Sequence, residues 1–494
     1  MGADHSDKPT NSTRRALAQS FVQRFVTLVF GFGSTIFLSR LLTPSQIGVF
    51  SVAAGLLALV NMLRDFGVSE FLVQAPTVDK TLVHTVFTVN LLIAWSLGGL
   101  LLGCSDIIAR FYGDPGVGQV LKAMSIIFFL LPFGTTTQAL LSRELQFGKL
   151  AKIHTVGSIT RSSTKVLLAY AGFGYMSLAW GAVAGMILTI AGFALWGWSY
   201  RVRGMSFVHW RSVLHFGSSR TVSDIATQMG DQSANLVIGK MLGMTSTGLY
   251  SRGYGLVNMY RENIVAAIES VAFPAFAREQ RKFAKAPELF LKALVYTTGI
   301  SWPFFACGAL LAYPVIRILF GNQWDAAVPL MRWLCVAALI GTLMYQCNRF
   351  LVALGRVRAA TRVEVSYQLA RVGITIVAAF FGLEAVAASQ VLVYVLATTL
   401  YYRQLRVYDV LAVRNCARAV VPSALVTLST CAVPAVVVSW PGLVTQHMVA
   451  AFAIAFVGGV AGWLAAIMAT RHPLRGELQN ALSRLRASYC ALRA

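Results

Sequence analysis

The sequence is poor in charged residues, and poorest in acidic ones. Of its 494 residues 12% are charged, against the roughly 25% usual in soluble domains, and 19 Asp or Glu face 42 Lys or Arg. The hydrophobic share is 56%, with a mean hydropathy of +0.65. A soluble fold cannot hide that much apolar surface, since even a 300-residue domain buries only about 75% of what its chain exposes. These values exclude a soluble enzyme, a disordered chain and a nucleic-acid-binding domain, and they predict a polytopic membrane protein.

Motifs for covalent or metal chemistry are also missing. The seven cysteines are scattered without a CxxC pair, which excludes a disulfide framework and a zinc site. The chain has no GxxxxGK[ST] phosphate loop, no HExxH and no GxSxG. We therefore expect no catalytic residue, no metal, no cofactor and no ATP hydrolysis on this chain.

Long apolar runs make up most of the chain. About 20 apolar residues cross a bilayer as a helix, and by that measure the sequence predicts an all-α protein with about fourteen transmembrane helices. The predicted spans are 17–38, 46–63, 82–104, 118–140, 153–173, 177–198, 213–238, 247–272, 289–312, 326–346, 362–382, 385–402, 418–440 and 446–468.

The basic residues collect before the first span and after each even-numbered span from the fourth onward. Because Lys and Arg are retained on the cytoplasmic side, this alternation predicts that both termini lie in the cytoplasm. It also accounts for the net charge of +23 without a nucleic-acid partner. Representative residues are Lys8, Arg14, Arg143, Lys149, Arg201, Arg203, Arg278, Arg281, Arg356, Arg403, Arg471 and Arg475.

Two segments match at an offset of 200 residues, each after the first helix of a predicted set of six. Gly48 and Ser51 correspond to Gly248 and Ser251. A repeat of six helices gives both halves the same orientation, a plan found in alternating-access transporters. The sequence thus predicts pseudo-symmetric six-helix lobes at 1–205 and 206–405, and 406–494 with two extra C-terminal helices and a tail.

Several predicted spans carry charged residues at helical spacing. A charge at mid-membrane costs at least about 2.5–3.5 kcal/mol, so each needs a partner or a watery cavity. The stripes are Arg24 with Ser20 and Thr27 in the first span; His154, Ser158, Arg161 and Lys165 in the fifth; Arg220, Asp224, Gln228, Asp231 and Asn235 in the seventh; Arg252, Arg261, Glu262 and Glu269 in the eighth; and Glu364, Gln368 and Arg371 in the eleventh.

Two interpretations of these stripes stay open. A single pair such as Arg220 and Asp224 fits a buried structural ion pair. As a set, however, the arginines outnumber the acids available to neutralise them. A net positive, solvated cavity suits an anionic solute, and guanidinium binds phosphate through paired hydrogen bonds.

The connections between helices carry a family resemblance. The run 41–48 (LLTPSQIG), Asp65-Phe66-Gly67 with Gln74, Leu242 to Tyr250, and Phe273-Pro274 together resemble the signature of Wzx-type polysaccharide flippases. These proteins belong to the MOP superfamily, with the MATE exporters and the lipid II flippase.

The resemblance implies two lobes around a central cavity and a specific solute. That solute is an undecaprenyl-pyrophosphate-linked oligosaccharide, moved across the bacterial inner membrane for exopolysaccharide, capsule or O-antigen synthesis beside other polysaccharide-assembly proteins. It also implies that cavity arginines bind the pyrophosphate and that acids could couple transport to a proton or sodium gradient. The matching arginines are Arg24, Arg220, Arg252, Arg261 and Arg371, and the acids are Asp224, Asp231, Glu262 and Glu269.

Two other functions compete with this interpretation. A MATE-like, ion-coupled exporter of cationic drugs shares the architecture, but the excess of buried arginine argues against a cationic solute. An integral-membrane polysaccharide polymerase or ligase generally carries a large periplasmic loop, and no predicted connection here is long enough.

Overall fold

A computed structural model describes residues 11–64, 71–73, 75, 77–197, 204–265, 286–406, 411, 413–470, 472–477, 479 and 483. Within helices, the side chains of 11–22, 214–224, 286, 441 and 444 lie outside this description. Throughout these ranges the regular structure is helical, so the predicted all-α class is confirmed. The chain forms two compact units, Met1–Gly248 and Leu249–Ala494.

Within its described ranges, the first unit has eight long helices and the beginning of a ninth. They are α1 (Asn11–Leu41), α2 (Pro44–Arg64), α3 (Lys80–Tyr112), α4 (Pro115–Leu130), α5 (Pro132–Arg143), α6 (Phe147–Tyr170), α7 (Met176–Trp196), α8 (Trp210–Met241) and the start of α9 (Gly243–Tyr260).

The second unit continues α9 through a π-helical turn, and its described ranges add nine helices. The π turn is Arg261–Val265, and a 3₁₀ turn covers Asn322–Ala327. The helices are α10 (Ala286–Leu310), α11 (Ala312–Phe320), α12 (Val328–Gly341), α13 (Tyr345–Ala353), α14 (Val357–Ala379), α15 (Leu383–Leu405), α16 (Val413–Val438), α17 (Pro441–Gln446) and α18 (Met448–Ala469).

A membrane-spanning helix bundle is confirmed by the lengths and composition of these helices. In the described ranges, nine helical segments are long and apolar enough to cross a bilayer, and α4 with α5, bent by 49°, forms a tenth. Helices α6, α8, α9 and α14 overlap the four other predicted spans, and these carry the polar stripes. The chain is a multi-pass membrane protein, and the count of fourteen spans stays a prediction.

The boundary between the two units differs from the predicted lobe boundary near 205. Helix α8 belongs to the first unit because it packs against α2, where glycines allow close approach. A Cβ at Gly55 would lie 3.2 Å from Gln232 Oε1, and one at Gly239 would lie 2.4 Å from Val52 Cγ2. The lobes at 1–205, 206–405 and 406–494 therefore stay a prediction.

The last two long helices pack against α10 inside the second unit. The Thr298 hydroxyl of α10 donates to Ser423 Oγ of α16 at 2.9 Å. The indole N–H of Trp463 in α18 donates to the Gly299 carbonyl at 3.0 Å. These contacts attach the predicted C-terminal pair to a helix of the preceding bundle.

The motif at the start of α2 is a helix-capping sequence. Thr43 N–H donates to Gln46 Oε1 at 3.1 Å, and Gln46 N–H donates to Thr43 Oγ1 at 3.4 Å. This is a capping box, in which two side chains satisfy the free N–H groups of a first helical turn. Pro44 follows the cap, where its missing N–H costs nothing. The motif thereby ends α1 and restarts the chain as α2 within two residues.

The matched glycines of the 200-residue repeat meet each other. A Cβ at Gly48 would lie 1.7 Å from the Met244 carbonyl oxygen, and one at Gly248 would lie 1.8 Å from the Pro44 carbonyl oxygen. Met244 is the repeat counterpart of Pro44, as Gly248 is of Gly48. Gly48 therefore packs on Met244, and Gly248 packs on Pro44, the repeat counterpart of Met244. Such a reciprocal contact is expected where two equivalent segments meet at a two-fold axis. This reciprocity supports the predicted duplication.

We predict that Gly48→Ala and Gly248→Ala each lower the thermal stability of the purified protein by several degrees. The added methyl group meets a backbone carbonyl that cannot rotate away, and overpacking of this kind costs about 1–3 kcal/mol. The measurement is the apparent Tm in detergent.

Gly255→Ala is the matched control, because no atom lies within 4 Å of a Cβ at this position of α9. If Gly48→Ala and Gly248→Ala have the same apparent Tm as this control, the glycine contact does not stabilise the packing of these helices.

Candidate functional site

A polar pocket in the second unit brings together two of the predicted arginines. We call it the arginine pocket. Among the described residues that line it there is no Asp or Glu. Its cavity volume of about 20 Å³ is enough for a single water molecule. It is lined by Tyr254, Val257, Asn258, Arg261, Leu334, Ala338, Tyr345, Arg371, Gln390 and Tyr394.

Arg371 is held in this pocket by a neutral side chain. It lies on α14, is 3% exposed, and donates from Nε to Gln390 Oε1 of α15 at 3.0 Å. Gln390 in turn donates from Nε2 to Thr375 Oγ1 at 3.4 Å. These hydrogen bonds orient the Arg371 guanidinium through the side-chain amide of a neighbouring helix.

Arg261 enters the pocket from the π-helical turn that follows α9. A π turn offsets the side chains that follow it, and such turns are frequent at functional sites. The next residue, Glu262, is exposed, and its Oε1 accepts a hydrogen bond from Asn258 Nδ2 at 2.7 Å. Arg261 and Arg371 are thus carried to one place by two elements that are far apart in sequence.

Arg252 lies outside the arginine pocket and is surrounded by aromatic rings. Its guanidinium carbon is 5.9 Å from the ring centroid of Phe320 and 5.7 Å from that of Trp324. Its buried Nε has no hydrogen-bond partner in the part of the chain that the structure describes. Cation–π contacts of this kind stabilise a desolvated cation by about 2 kcal/mol. The structure therefore separates Arg252 from Arg261 and Arg371, the other two predicted site arginines of this unit.

A buried glutamate with no predicted role, Glu364, is the centre of a polar network in the second unit. Glu364 of α14 is 8% exposed. Its carboxylate accepts hydrogen bonds from Tyr401 Oη at 2.6 Å, Tyr367 Oη at 2.8 Å, Gln368 Nε2 at 3.1 Å and Asn348 Nδ2 at 3.1 Å. The spacing of Glu364 and Arg371 predicted that both lie on the polar face of α14. No pattern in the nearby sequence predicted the hydrogen-bond partners of Glu364 on α13 and α15.

The structure describes only some of the other predicted residues. Arg24 is exposed on α1, and Asp231 is half-buried on α8. Arg220 and Asp224 lie within α8, but their side chains are outside the description, so the predicted ion pair between them is not observed or excluded. Glu269 lies outside the described residues, as do the motif residues 65–67, Gln74, Phe273 and Pro274.

A family model described as "Polysaccharide biosynthesis protein" matches residues 37–329, which is more than half of the chain. The chain belongs to this family. The matched segment includes the capping box of α2, the repeat glycines and Arg261.

Individual relatives and solved structures agree with this assignment. The lipopolysaccharide biosynthesis protein WzxC of Escherichia coli is 25% identical over 335 residues, covering 66% of this chain and 67% of that protein. The fold matches the lipid II flippase MurJ with a TM-score of 0.75 at 12% identity, over 92% of this chain and 98% of MurJ. It matches an inward-facing MATE transporter of the MOP superfamily with a TM-score of 0.56 at 16% identity, over 78% and 97%.

These comparisons confirm the resemblance to Wzx proteins that the sequence motifs predicted. The matches span about two thirds of the length of curated relatives such as WzxC. The solved structures share little sequence with this chain, so they establish its fold alone.

We predict that Glu364→Gln and Tyr401→Phe both destabilise the second unit. The amide group of Gln would turn a donor toward the four donors that now face the carboxylate, and an unsatisfied buried polar group costs about 1–3 kcal/mol. A lower apparent Tm of the purified protein, by several degrees for each variant, is the expected result.

Glu384→Gln provides the comparison, because Glu384 is exposed and accepts one hydrogen bond, from Trp333 Nε1 at 3.0 Å. Equal stability of Glu364→Gln and Glu384→Gln would show that the Glu364 network does not support the fold.

Proposed function

We propose that this protein translocates an oligosaccharide linked to undecaprenyl pyrophosphate from the cytoplasmic to the periplasmic leaflet of the bacterial inner membrane. The product would supply exopolysaccharide, capsule or O-antigen assembly. The single observation that carries this proposal is that Arg261 and Arg371 line one pocket within a membrane-spanning helix bundle. The match to the polysaccharide biosynthesis family supports this class of solute.

The charge of the arginine pocket fits the pyrophosphate part of such a lipid. Placing two guanidinium groups in one membrane bundle is unfavourable unless an anion or water accompanies them. Each guanidinium offers a planar pair of N–H donors that matches two phosphate oxygens. Two arginines can therefore bind both phosphates of the headgroup.

The pocket must change shape before it can bind the headgroup, and alternating access would provide that change. A cavity of about 20 Å³ holds a water molecule but not a pyrophosphate, so binding requires a second conformation with a wider pocket. We propose that the headgroup binds in that conformation, while the undecaprenyl chain stays in the surrounding lipid.

The remaining predicted elements complete the proposal. Both termini lie in the cytoplasm, and other polysaccharide-assembly proteins receive the product. Arg24, Arg220 and Arg252 remain proposed substrate-binding arginines outside the arginine pocket. A proton or sodium gradient drives transport through one or more of Asp224, Asp231, Glu262 and Glu269.

The charge of the pocket argues against the two competing functions. An exporter of cationic drugs would need carboxylates where the described lining offers two arginines. A polymerase or ligase would need an extramembrane domain of at least about 50 residues. The connections that the sequence predicts between its spans are too short for one.

We predict that the double variant Arg261→Gln, Arg371→Gln reduces surface polymer at least about tenfold in a strain that lacks the native gene. Each lost charge-assisted hydrogen bond is worth about 1.5–3 kcal/mol, and 1.4 kcal/mol is a factor of ten. The measurement is cell-surface polysaccharide at matched protein level, together with undecaprenyl-linked repeat units retained inside the cell. The Lys double variant should restore part of the polymer, because it keeps the charge but loses the paired donors.

Arg332→Gln is the matched control, since Arg332 is exposed on α12 and does not line the pocket. Normal polymer in the Gln double variant would refute the role of the pocket. A change in drug sensitivity without a change in polymer would instead support the exporter.

A further inference from the structure

A second cavity lies in the first unit, and the function proposed above assigns no ligand to this cavity. We call it the α6 cavity. Its volume of about 450 Å³ falls within the roughly 300–1,000 Å³ of small-molecule sites. Helices α1, α5, α6 and α7 contribute polar side chains to it: Gln23, Thr27, Thr135, Gln138, His154, Ser158, Arg161 and Thr189.

A helix bend and two glycines shape this cavity. The 49° bend between α4 and α5 lies at Leu131 and Pro132, where proline cannot donate to the preceding turn, and Leu131 lines the cavity. On the opposite wall, a Cβ at Gly185 of α7 would lie 2.6 Å from Arg161 Cβ, and one at Gly181 would lie 3.0 Å from the Arg161 carbonyl oxygen. The close approach of α7 therefore fixes the backbone from which Arg161 projects.

The polar groups of the α6 cavity have unused hydrogen-bonding capacity. Arg161 is exposed and makes no ion pair or hydrogen bond within the part of the chain that the structure describes. The same holds for the side chains of Gln23, Gln138 and Ser158 across the described ranges. One guanidinium, two amides and a hydroxyl thus face a common space in which a ligand can satisfy them.

An apolar wall completes the α6 cavity. The rings of His154 and Phe193 pack edge to face, with centroids 5.8 Å apart, and Met186 and Ile190 line the cavity beside them. A sugar ring presents hydroxyls at its edge and C–H groups on its faces, so a polar side and an apolar side suit it together.

The charge of the lining selects an acidic sugar. The described lining residues include no carboxylate, and Arg161 is the residue among them that carries a permanent positive charge. A single guanidinium matches one carboxylate, whereas the higher charge of a pyrophosphate suits the two arginines of the other pocket. We propose that the α6 cavity binds an acidic sugar residue of the translocated oligosaccharide, with its carboxylate on Arg161 and its hydroxyls on Gln23, Gln138 and Ser158. This rests on the proposed function.

The test measures binding of small probes to the full-length protein in lipid nanodiscs. The probes are methyl glucuronide, methyl glucoside and inorganic pyrophosphate, and calorimetry or ligand-observed NMR gives each Kd. The wild-type protein should bind methyl glucuronide about tenfold more tightly than methyl glucoside, because the two differ in the carboxylate. Arg161→Gln should abolish that preference, and Arg161→Lys should retain part of it.

Matched variants separate this site from the arginine pocket. Lys165→Gln changes a cation one turn further along α6 that does not line the cavity, so the preference should remain. Arg261→Gln with Arg371→Gln should weaken pyrophosphate binding and leave methyl glucuronide unchanged. That double variant tests the proposed function, and Arg161→Gln tests the α6 cavity.

Gln138→Leu keeps the proposal testable if Arg161→Gln does not fold, and it should weaken both sugars about equally. The proposal is wrong if the wild type shows no preference for the glucuronide, if Arg161→Gln keeps it, or if Gln138→Leu leaves both sugars unaffected. Displacement of methyl glucuronide by pyrophosphate, with both lost in Arg161→Gln, would make this a phosphate site instead.

Discussion

The free energy needed to keep a guanidinium group inside a lipid bilayer is the constraint around which the described helices are arranged. The second unit meets it in two ways. Arg371 is oriented by the neutral amide of Gln390, and Arg252 lies between the rings of Phe320 and Trp324. In both cases neutral groups, an amide or aromatic rings, position a guanidinium within the bundle.

Close helix packing makes these polar spans stable without long apolar faces. Glycines allow α2 to approach the start of α9, and α7 to approach α6, so that backbone contact replaces side-chain burial. Polar helices can then remain in the bundle with their charged faces toward a cavity. The reciprocal contact of Gly48 and Gly248 has the same origin, and it joins two segments that the sequence repeat had already paired.

Much of the fold was predictable because its signals are local. Hydropathy and helical spacing predicted spans that all overlap helices of the structure, and the run at 41–48 proved to be a capping box followed by a packing glycine. The polar spans α6, α8, α9 and α14 were predicted despite their weak hydropathy. For α8 the side chains of Arg220 and Asp224 are not described, so its stripe remains a sequence prediction.

The sequence by itself determined the helical membrane class, the family and the helices that carry charge, because each depends on residues near one another along the chain. Only the tertiary structure decided which charges share a site. It placed Arg261 with Arg371, Arg252 among aromatic rings, and four donors around Glu364. It also formed a cavity that Arg161 lines. The physical reason is that the surroundings of a side chain in a bundle are set by neighbouring helices, whose packing no local pattern encodes.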